Sequence, residues 1–500
     1  MGTEVNDRSR QSEWTGRLFY FGRTWSGGEG TTMAASTTVL DDALQGERPG
    51  QRIVPVPDHQ RVLGFLDYFA LWSSLGVGLL VLLAGTLLVP GLGLSQALGA
   101  IVLGTLIGNA LLALAGVIGS DTGSPTMVLM RPALGVRGSF LPTALNVVQL
   151  VGWGAFEVFI MARAANGISR ALAGFDNFVL WAAAVGAVCT LMAIGGPLVV
   201  VRRWLERFAI WLVYGTTVYL TWYLATHFDL RGLLAAPGDG SLPFWLAVDL
   251  VIAMPVSWLP LVADYSRFSR RAGPAFWGTY VGYFIANVWF YALGAAFVLA
   301  LKTPDLIPAL MSVAGGWLAL LLLLADETDN GFANIYSTAV SLQNVFPKAP
   351  QRVFAVMVGA VCVALAVAVN VVQYESFLFL IGAFFVPLFG VQAADYFVLR
   401  RRRYDAEGLT ADPPRHVTPG VRWLPVAVWL AGFLVYQWIA PTAIPGWKGL
   451  LQAGFGALHL PFPLSAGVPW LGASIPSFLT AFALHALIGR RQPVPGLPRR

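Results

Sequence analysis

Charged residues are scarce in this chain of 500 residues. Asp, Glu, Lys and Arg together make up 12% of it, about half of their usual share in a soluble globular protein. Hydrophobic residues account for 56%, and the mean hydropathy is +0.66. This composition excludes a water-soluble enzyme and an intrinsically disordered chain. It is typical of a protein that crosses a membrane many times.

Cysteine and histidine are also scarce. The two cysteines, Cys189 and Cys362, lie within apolar runs, which argues against a disulfide framework and against a thiolate metal site. The five histidines are scattered along the chain, which argues against a histidine metal centre. No paired nucleophile and base and no phosphate-binding loop occur. We therefore expect neither an enzyme nor a protein with a bound cofactor.

The first sixty residues differ in composition from the rest of the chain. They mix charges of both signs with Gly, Ser and Thr, and they lack the apolar core of a cleaved signal peptide. We interpret residues 1–60 as a disordered cytoplasmic tail, with Met33 as an alternative start of the protein. A second cytoplasmic tail, residues 490–500, is expected at the other end.

Apolar windows fill the sequence between these two tails, and each is long enough to cross a hydrocarbon core of about 30 Å as a helix. They predict an all-α polytopic membrane protein with about twelve transmembrane helices. The apolar joint at residues 441–468 is a candidate for an interfacial segment. Spans 1 to 12, as we number them, cover residues 65–89, 96–118, 141–169, 177–200, 204–226, 243–265, 276–301, 308–342, 353–371, 374–399, 423–440 and 469–489.

Basic residues are distributed unevenly between the joints that connect the spans. If both termini are cytoplasmic, the inner joints carry 16 Lys and Arg residues and the outer joints carry 5. Cytoplasmic loops of membrane proteins are enriched in these residues, so the distribution predicts this orientation. It also explains the net charge of +6 without a nucleic-acid partner.

Two spans carry residues that interrupt helices. Span 1 contains the segment Trp72–Gly78, with glycines at positions 76 and 78, and span 6 contains Ala253–Pro260, with two prolines. In lipid such breaks are tolerated where protein or a water-filled cavity satisfies the freed backbone groups. Interrupted helices five spans apart predict two inverted repeats of five helices, with substrate and coupling ion at the midplane. Close packing of helices at small residues is the alternative interpretation.

Span 3 places an ionisable residue at membrane depth. Glu157 follows Trp153 by one helical turn, so an aromatic plane and a carboxyl group share one face of the helix. This pair suits a flat heterocycle, because the indole supplies stacking area and the carboxyl group accepts hydrogen bonds from an edge. A hydrogen bond between helices that never contacts a ligand is the alternative role for Glu157.

Span 8 contains the most polar stretch at membrane depth, from Ala325 to Asn334. Around a helix, Glu327 falls within about 20° of Asn334, whereas Asp329 falls about 140° away from it. The helix is therefore expected to present one polar set to a substrate and another to an ion. Oxygen ligands of this kind suit Na⁺, and a carboxyl group among them can carry a proton instead. The alternative is a loop at the end of the span.

Four motifs, taken together, resemble one family of transporters. They occur in order between about residues 60 and 405: Met130–Ser139 before span 3, Gly152-Trp153 within it, Ala263–Phe268 at the end of span 6, and Ala394–Phe397 at the end of span 10. The chain resembles the nucleobase:cation symporter-1 family, which includes cytosine, purine, hydantoin and allantoin permeases.

The resemblance implies a leucine-transporter-like fold with a 5+5 inverted repeat and two additional C-terminal helices. Residues 61–405 would form the transport core of spans 1 to 10, and residues 406–489 would hold a cytoplasmic joint and spans 11 and 12. It also implies import of a small heterocycle by alternating access, coupled to Na⁺ or H⁺. The expected location is the cell membrane, and the expected partners are the substrate and the lipid bilayer, with a monomer as the functional unit.

The resemblance also assigns residues. Trp153 corresponds to a stacking tryptophan, Glu157 to a polar residue that reads the substrate, and Asn334 to a substrate-contacting asparagine. The implied sodium site uses main-chain oxygens of Ser74, Val77 and Ala325 with the side chains of Thr328 and Asp329. Three positions depart from the pattern: Asp329 replaces a hydroxyl residue, Gly78 replaces a polar substrate-binding residue, and Pro255 stands where a second aromatic is expected, so that Trp258 is a candidate to reach the ring.

The substrate prediction follows from Glu157. A carboxyl group that accepts from an amino group and donates to a ring nitrogen suits an aminopyrimidine better than uracil, so cytosine is the first candidate. The alternatives are a hydantoin, allantoin, a purine or a thiamine precursor such as hydroxymethylpyrimidine. A substrate-gated channel or a membrane sensor is the alternative from another class of protein.

Overall fold

The computed structural model describes residues 53–195, 210–303, 305–368, 374–442 and 446–490. Most of these residues are helical, and no β-strand occurs within these ranges. Residues 1–52, which include Met33 and most of the predicted N-terminal tail, lie outside the described residues, as do residues 491–500. The described part of the predicted tail, residues 53–60, packs against the helices: Ile53 is buried, and the N–H group of Val56 donates to the carbonyl oxygen of Gly123 at 2.9 Å.

Each of the twelve predicted windows contains a helix in its described part. By length and composition alone, five described helices can cross a membrane, or six if the bent pair in span 1 counts as one. The helices are Phe65–Leu75 and Leu79–Thr86 in span 1, Leu94–Thr122 in span 2, Phe140–Ala173 in span 3, Phe178–Gly195 in span 4, Ile210–His227 in span 5, Phe244–Ser257 and Val262–Ser266 in span 6, Ala272–Leu301 in span 7, Gly316–Gln343 in span 8, Gln351–Ala366 in span 9, Tyr374–Ala393 in span 10, Trp423–Ile439 in span 11 and Ser474–Gly489 in span 12.

Spans 1 and 6 are both broken, as predicted. The two helices of span 1 meet at 57°, with Gly76 and Gly78 in the three-residue break. In span 6 the first helix ends at Ser257 and the chain becomes helical again at Val262, after Pro260. Proline has no N–H group and cannot continue the ladder of hydrogen bonds, which explains the break in span 6. The interrupted-helix prediction is confirmed for both spans.

Side chains from span 8 satisfy the freed backbone groups of span 1. The amide of Asn330 donates to the carbonyl oxygen of Val77 at 3.1 Å, and the N–H group of Leu79 donates to Oε2 of Glu327 at 2.7 Å. Leu79 is the first residue of its helix, so the carboxyl group of Glu327 also lies at the positive end of that helix dipole. Polar residues on span 8 thereby stabilise the non-helical backbone of span 1.

Side chains from span 3 likewise satisfy backbone groups at the break in span 6. Nε2 of Gln149 donates to the carbonyl oxygen of Ser257 at 2.8 Å, and Nδ2 of Asn146 lies 3.5 Å from the carbonyl oxygen of Pro260. Both side chains are buried. The two broken spans are thus attached by side-chain hydrogen bonds to spans 3 and 8.

Two connections differ from the predicted windows. Span 8 begins at Gly316 and not at residue 308, because a short helix, Leu306–Ser312, comes first and Gly315 then adopts a positive φ of 66°. The joint between spans 11 and 12 contains the helix Trp447–Ala457, in which Leu451 alone is buried. A helix therefore occupies the joint where an interfacial segment was expected.

Candidate functional site

A cavity lies where the broken spans 1 and 6 face spans 3 and 8. Its wall combines two indoles, two carboxyl groups and two amides with aliphatic side chains. The lining residues are Leu75, Val77, Leu80, Val81, Leu150, Trp153, Glu157, Met254, Ser257, Trp258, Leu261, Glu327, Asn330 and Asn334.

The two indoles of the cavity are held by other aromatic rings. Trp153 packs edge to face against Tyr374 and Phe377 of span 10, with ring centroids 5.8 Å and 5.3 Å away. Trp258 donates from Nε1 to the hydroxyl oxygen of Tyr283 at 3.1 Å and packs edge to face against Trp72. These contacts fix both rings in the cavity wall, where a flat ligand can stack on them.

The two carboxyl groups come from different spans and lie side by side. Glu157 of span 3 is 5% exposed, and Glu327 of span 8 is 1% exposed. None of the lining residues of the cavity is Lys, Arg or His. Buried carboxyl groups without a basic partner need N–H donors, protons or a cation to stabilise them. The cavity is therefore an acceptor-rich site.

The helical arrangement predicted for span 8 is confirmed. Glu327, Asn330 and Asn334 all line the cavity and so share one face of the helix. Asp329 is buried but does not line the cavity, in agreement with its expected position on another face. Span 8 therefore presents one polar set to the cavity and a separate set beside it.

This second set forms an acidic cluster with span 1. The hydroxyl group of Ser74 lies 2.7 Å from Oδ2 of Asp329 and 3.0 Å from Oδ1 of Asp326. The other two carboxyl oxygens, Oδ1 of Asp329 and Oδ2 of Asp326, are buried and have no hydrogen-bond partner. Oxygens of this type are the ligands that hard cations prefer.

The other residues of the implied sodium site lie around this cluster. The carbonyl oxygen of Ser74 accepts from the N–H group of Val77 at 3.0 Å, and that of Ala325 accepts from the hydroxyl group of Thr328 at 2.7 Å. A carbonyl oxygen has two lone pairs, so these bonds leave acceptor capacity. In the described part of the chain, no group of three or more His, Cys, Asp and Glu residues is arranged to hold a metal ion. The sodium site stays a prediction.

Two predicted substrate residues lie outside the cavity wall. Pro255 packs with its ring against Gly108 of span 2, so it faces away from the ligand space. Gly78 lies beside the carboxyl group of Glu327. Because Gly78 has no side chain, there is room for this carboxyl group. Trp258, the alternative to Pro255, does line the cavity.

Sequence reasoning placed Glu327 on the face of Asn334 but gave it no role of its own, and it did not assign Asn330 or Asp326 to a site. The spacing contains a signal for two of them, because Asn330 precedes Asn334 by one turn and Asp326 precedes Asp329 by three residues. The roles of Gln149 and Asn146 were not predicted, since nothing in the sequence of span 3 indicates that they bind the backbone of span 6.

Comparison with known proteins agrees with the fold. The family model described as permease for cytosine/purines, uracil, thiamine, allantoin matches residues 55–453. The hydantoin permease of Microbacterium maritypicum is 26% identical over 475 residues, which cover 89% of this chain and 94% of that protein. The cytosine permease of Escherichia coli K12 is 28% identical over 358 residues, covering 69% of this chain and 79% of that protein.

A solved structure shows the same fold. It is that of Mhp1, a nucleobase-cation-symport-1 family transporter in a closed conformation with bromovinylhydantoin bound. The TM-score is 0.74 at 20% sequence identity, and the match covers 88% of this chain and 95% of that chain. The expected inverted-repeat transporter fold is therefore confirmed. The chain belongs to the family of permeases for cytosine and purines, uracil, thiamine and allantoin, and it is a multi-pass membrane transporter and not an enzyme.

Proposed function

We propose that this permease imports an aminopyrimidine, with cytosine as the first candidate, together with Na⁺ or H⁺. The arrangement of Trp153 and Glu157 in the cavity carries this proposal. A planar ring stacked on Trp153 would present its edge to Glu157 one helical turn away, and Asn334 would supply an amide that both donates and accepts. An exocyclic amino group next to a ring nitrogen suits this set.

Cation coupling is supported by the charge of the site. Four carboxyl groups, those of Glu157, Asp326, Glu327 and Asp329, are buried within two neighbouring clusters. No ion pair joins any of them to a basic side chain in the part of the chain that the structure describes. Positive charge from a sodium ion or a proton is the simplest compensation, since an uncompensated buried carboxylate costs several kcal/mol.

The remaining features of the proposal come from the family and from the charge distribution. Substrate would enter from outside and leave to the cytoplasm by alternating access, in the cell membrane, with both termini cytoplasmic. One monomer holds the whole cavity, so the monomer is the proposed functional unit.

Uptake into liposomes that contain the purified protein tests the function. Labelled cytosine is supplied with an inward Na⁺ gradient, an inward H⁺ gradient or neither. Accumulation above the external concentration under one gradient identifies a symporter and its ion. Uptake that only equilibrates would instead indicate a channel, and no uptake or competition by any nucleobase would reject cytosine as the substrate.

A second candidate substrate is a hydantoin. The observation that favours it is the extent of the match, which covers 94% of the length of the Microbacterium hydantoin permease against 79% of the cytosine permease. The same liposomes with labelled hydantoin, competed by unlabelled cytosine, decide between the two.

A further inference from the structure

The carboxyl group of Glu327 lies in the space that a side chain at position 78 would occupy. Oε2 of Glu327 accepts from the N–H group of Leu79 at 2.7 Å, which holds the carboxyl group against the backbone of span 1. A Cβ atom at position 78 would lie 2.8 Å from Oε1 and 2.9 Å from Oε2, closer than packed atoms approach each other. The absence of a side chain at position 78 therefore allows the carboxyl group of Glu327 to sit at the cavity.

Two oxygen atoms of the carboxyl pair receive no hydrogen bond from an N–H or hydroxyl donor of the protein. Oε1 of Glu327 and Oε2 of Glu157 are buried and accept no hydrogen bond from an N–H group or a hydroxyl group of the protein, although both side chains line the cavity. A proton shared between the two carboxyl groups is the hydrogen bond that they can form with each other. A buried acceptor that stays unpaired costs about 1–3 kcal/mol. Both atoms belong to side chains that are at least nine-tenths buried, so a ligand in the cavity is well placed to supply the missing donors.

We propose that Glu327 is a substrate-binding residue and that, together with Glu157, it reads the exocyclic amino group of the heterocycle. The two N–H bonds of one amino group point in different directions, and two carboxyl groups from different spans, side by side, can accept one each. Hydrogen bonds to charged groups are the stronger ones, so this contact discriminates well. The inference rests on the proposed import of an aminopyrimidine and deepens it.

The same wall predicts which ligands are rejected. The cavity presents two carboxyl groups and no basic side chain among its lining residues. A heterocycle that carries a carboxylate, such as orotate, would bring its negative charge next to two carboxyl groups in a site of low dielectric constant. Anionic pyrimidines are therefore expected not to compete.

The experiment compares two ligands that differ by the amino group alone. Cytosine and pyrimidin-2-one, which lacks that group, are titrated into the full chain in lipid nanodiscs. We expect the parent to prefer cytosine by about tenfold or more, the effect of one charge-assisted hydrogen bond. The variant Glu327→Ala should lose most of that preference by weakening cytosine binding while leaving pyrimidin-2-one binding unchanged. Equal weakening of both ligands would indicate a structural role and overturn the proposal.

Two further variants complete the experiment, one as a second test and one as a control. Gly78→Ala should push the carboxyl group of Glu327 aside and reduce the preference without changing an acidic residue. Glu375→Ala removes an exposed carboxyl group at the start of span 10 and should keep the parent preference. Thermal unfolding of each variant shows whether it is folded, and a folded Glu327→Ala that discriminates as the parent does contradicts the assignment.

The outcome for the parent protein separates this inference from the proposed function. A parent that ignores cytosine and binds hydantoin shows the aminopyrimidine assignment to be wrong. The role of Glu327 is then tested with hydantoin and its N-methylated forms, in which a methyl group replaces the hydrogen of one or both N–H donors. If Glu327→Ala does not reduce discrimination between those ligands either, Glu327 does not read the substrate.

Discussion

The hydroxyl group of Ser74 lies 2.7 Å from Oδ2 of Asp329 and so connects the broken span 1 to span 8. The same hydroxyl oxygen lies 3.0 Å from Oδ1 of Asp326. A hydroxyl group has one proton and can donate to one carboxylate at a time, so two carboxylates around it need further positive charge. We expect the coupling cation to bind at this cluster, next to the break in span 1.

Replacement of Asp329 by Asn is expected to abolish the response of uptake to the cation gradient. The amide keeps the size of the side chain and a hydrogen bond to Ser74 but removes the negative charge. Substrate binding should persist, because Asp329 does not line the cavity. The measurement is substrate affinity and gradient-driven uptake in the same liposomes.

Asp239→Asn is the matched control for this charge. Asp239 is exposed in the joint before span 6, and its replacement should leave both the substrate affinity and the gradient-driven uptake unchanged. An Asp329→Asn protein that still accumulates substrate under the parent's gradient would show that the cation binds elsewhere.

Replacement of Trp153 by Ala is expected to weaken substrate binding by tenfold or more. The change removes one of the two indole surfaces of the cavity, and stacking on an aromatic ring contributes about 0.5–1.5 kcal/mol beyond the buried area. Trp153→Phe should retain part of the affinity. Equilibrium binding in nanodiscs measures the effect, and Trp423→Ala, at a tryptophan that is 72% exposed, is the control.

Replacement of Asn334 by Ala is expected to reduce affinity without loss of cation dependence. The side chain lies on the cavity face of span 8, one turn from Asn330, whereas the acidic cluster with Ser74 lies on another face. An amide that both donates and accepts is worth about 1–3 kcal/mol when its partner is buried. A variant that binds substrate as well as the parent does would place the ligand away from span 8.

Much of this architecture can be predicted from sequence, because membranes impose strong rules. Apolar length predicts the spans, and the glycines at 76 and 78 and the prolines at 255 and 260 predict the breaks in spans 1 and 6. The positions of Trp153 and Glu157 also follow, since helical periodicity places them on one face.

Contacts between distant spans cannot be predicted in this way. Glu327 was placed on the face of Asn334, yet its bond to Leu79 and its contact with Gly78 depend on how span 8 packs against span 1. The same holds for Gln149, whose bond to Ser257 joins residues more than a hundred positions apart. A single sequence specifies local periodicity well, but the pairing of helices arises from side-chain packing in three dimensions.

Two ion pairs formed by the arginines that follow span 10 are expected to differ strongly in their contribution to stability. Asp395 is buried and accepts from Nε of Arg400 at 2.8 Å and from the hydroxyl group of Tyr404 at 2.9 Å. Asp121 pairs with Arg402, whose side chain is 50% exposed, at 2.8 Å. Breaking a buried pair leaves an uncompensated charge and costs about 3–5 kcal/mol, whereas an exposed pair contributes about 0–1 kcal/mol.

The variants Asp395→Ala and Arg402→Ala test this difference by thermal unfolding in detergent. Asp395→Ala should lower the unfolding temperature markedly, because the guanidinium of Arg400 stays buried after its carboxylate partner is removed. Arg402→Ala leaves the bond from the hydroxyl group of Tyr396 to Asp121 in place and should produce a small decrease that high salt abolishes, since salt screens exposed charges. Equal decreases in the two variants would mean that burial does not control the strength of these pairs. The helix end at Asp395 would then owe its stability to the packing of Tyr396 and Tyr404, whose ring centroids lie 4.8 Å apart.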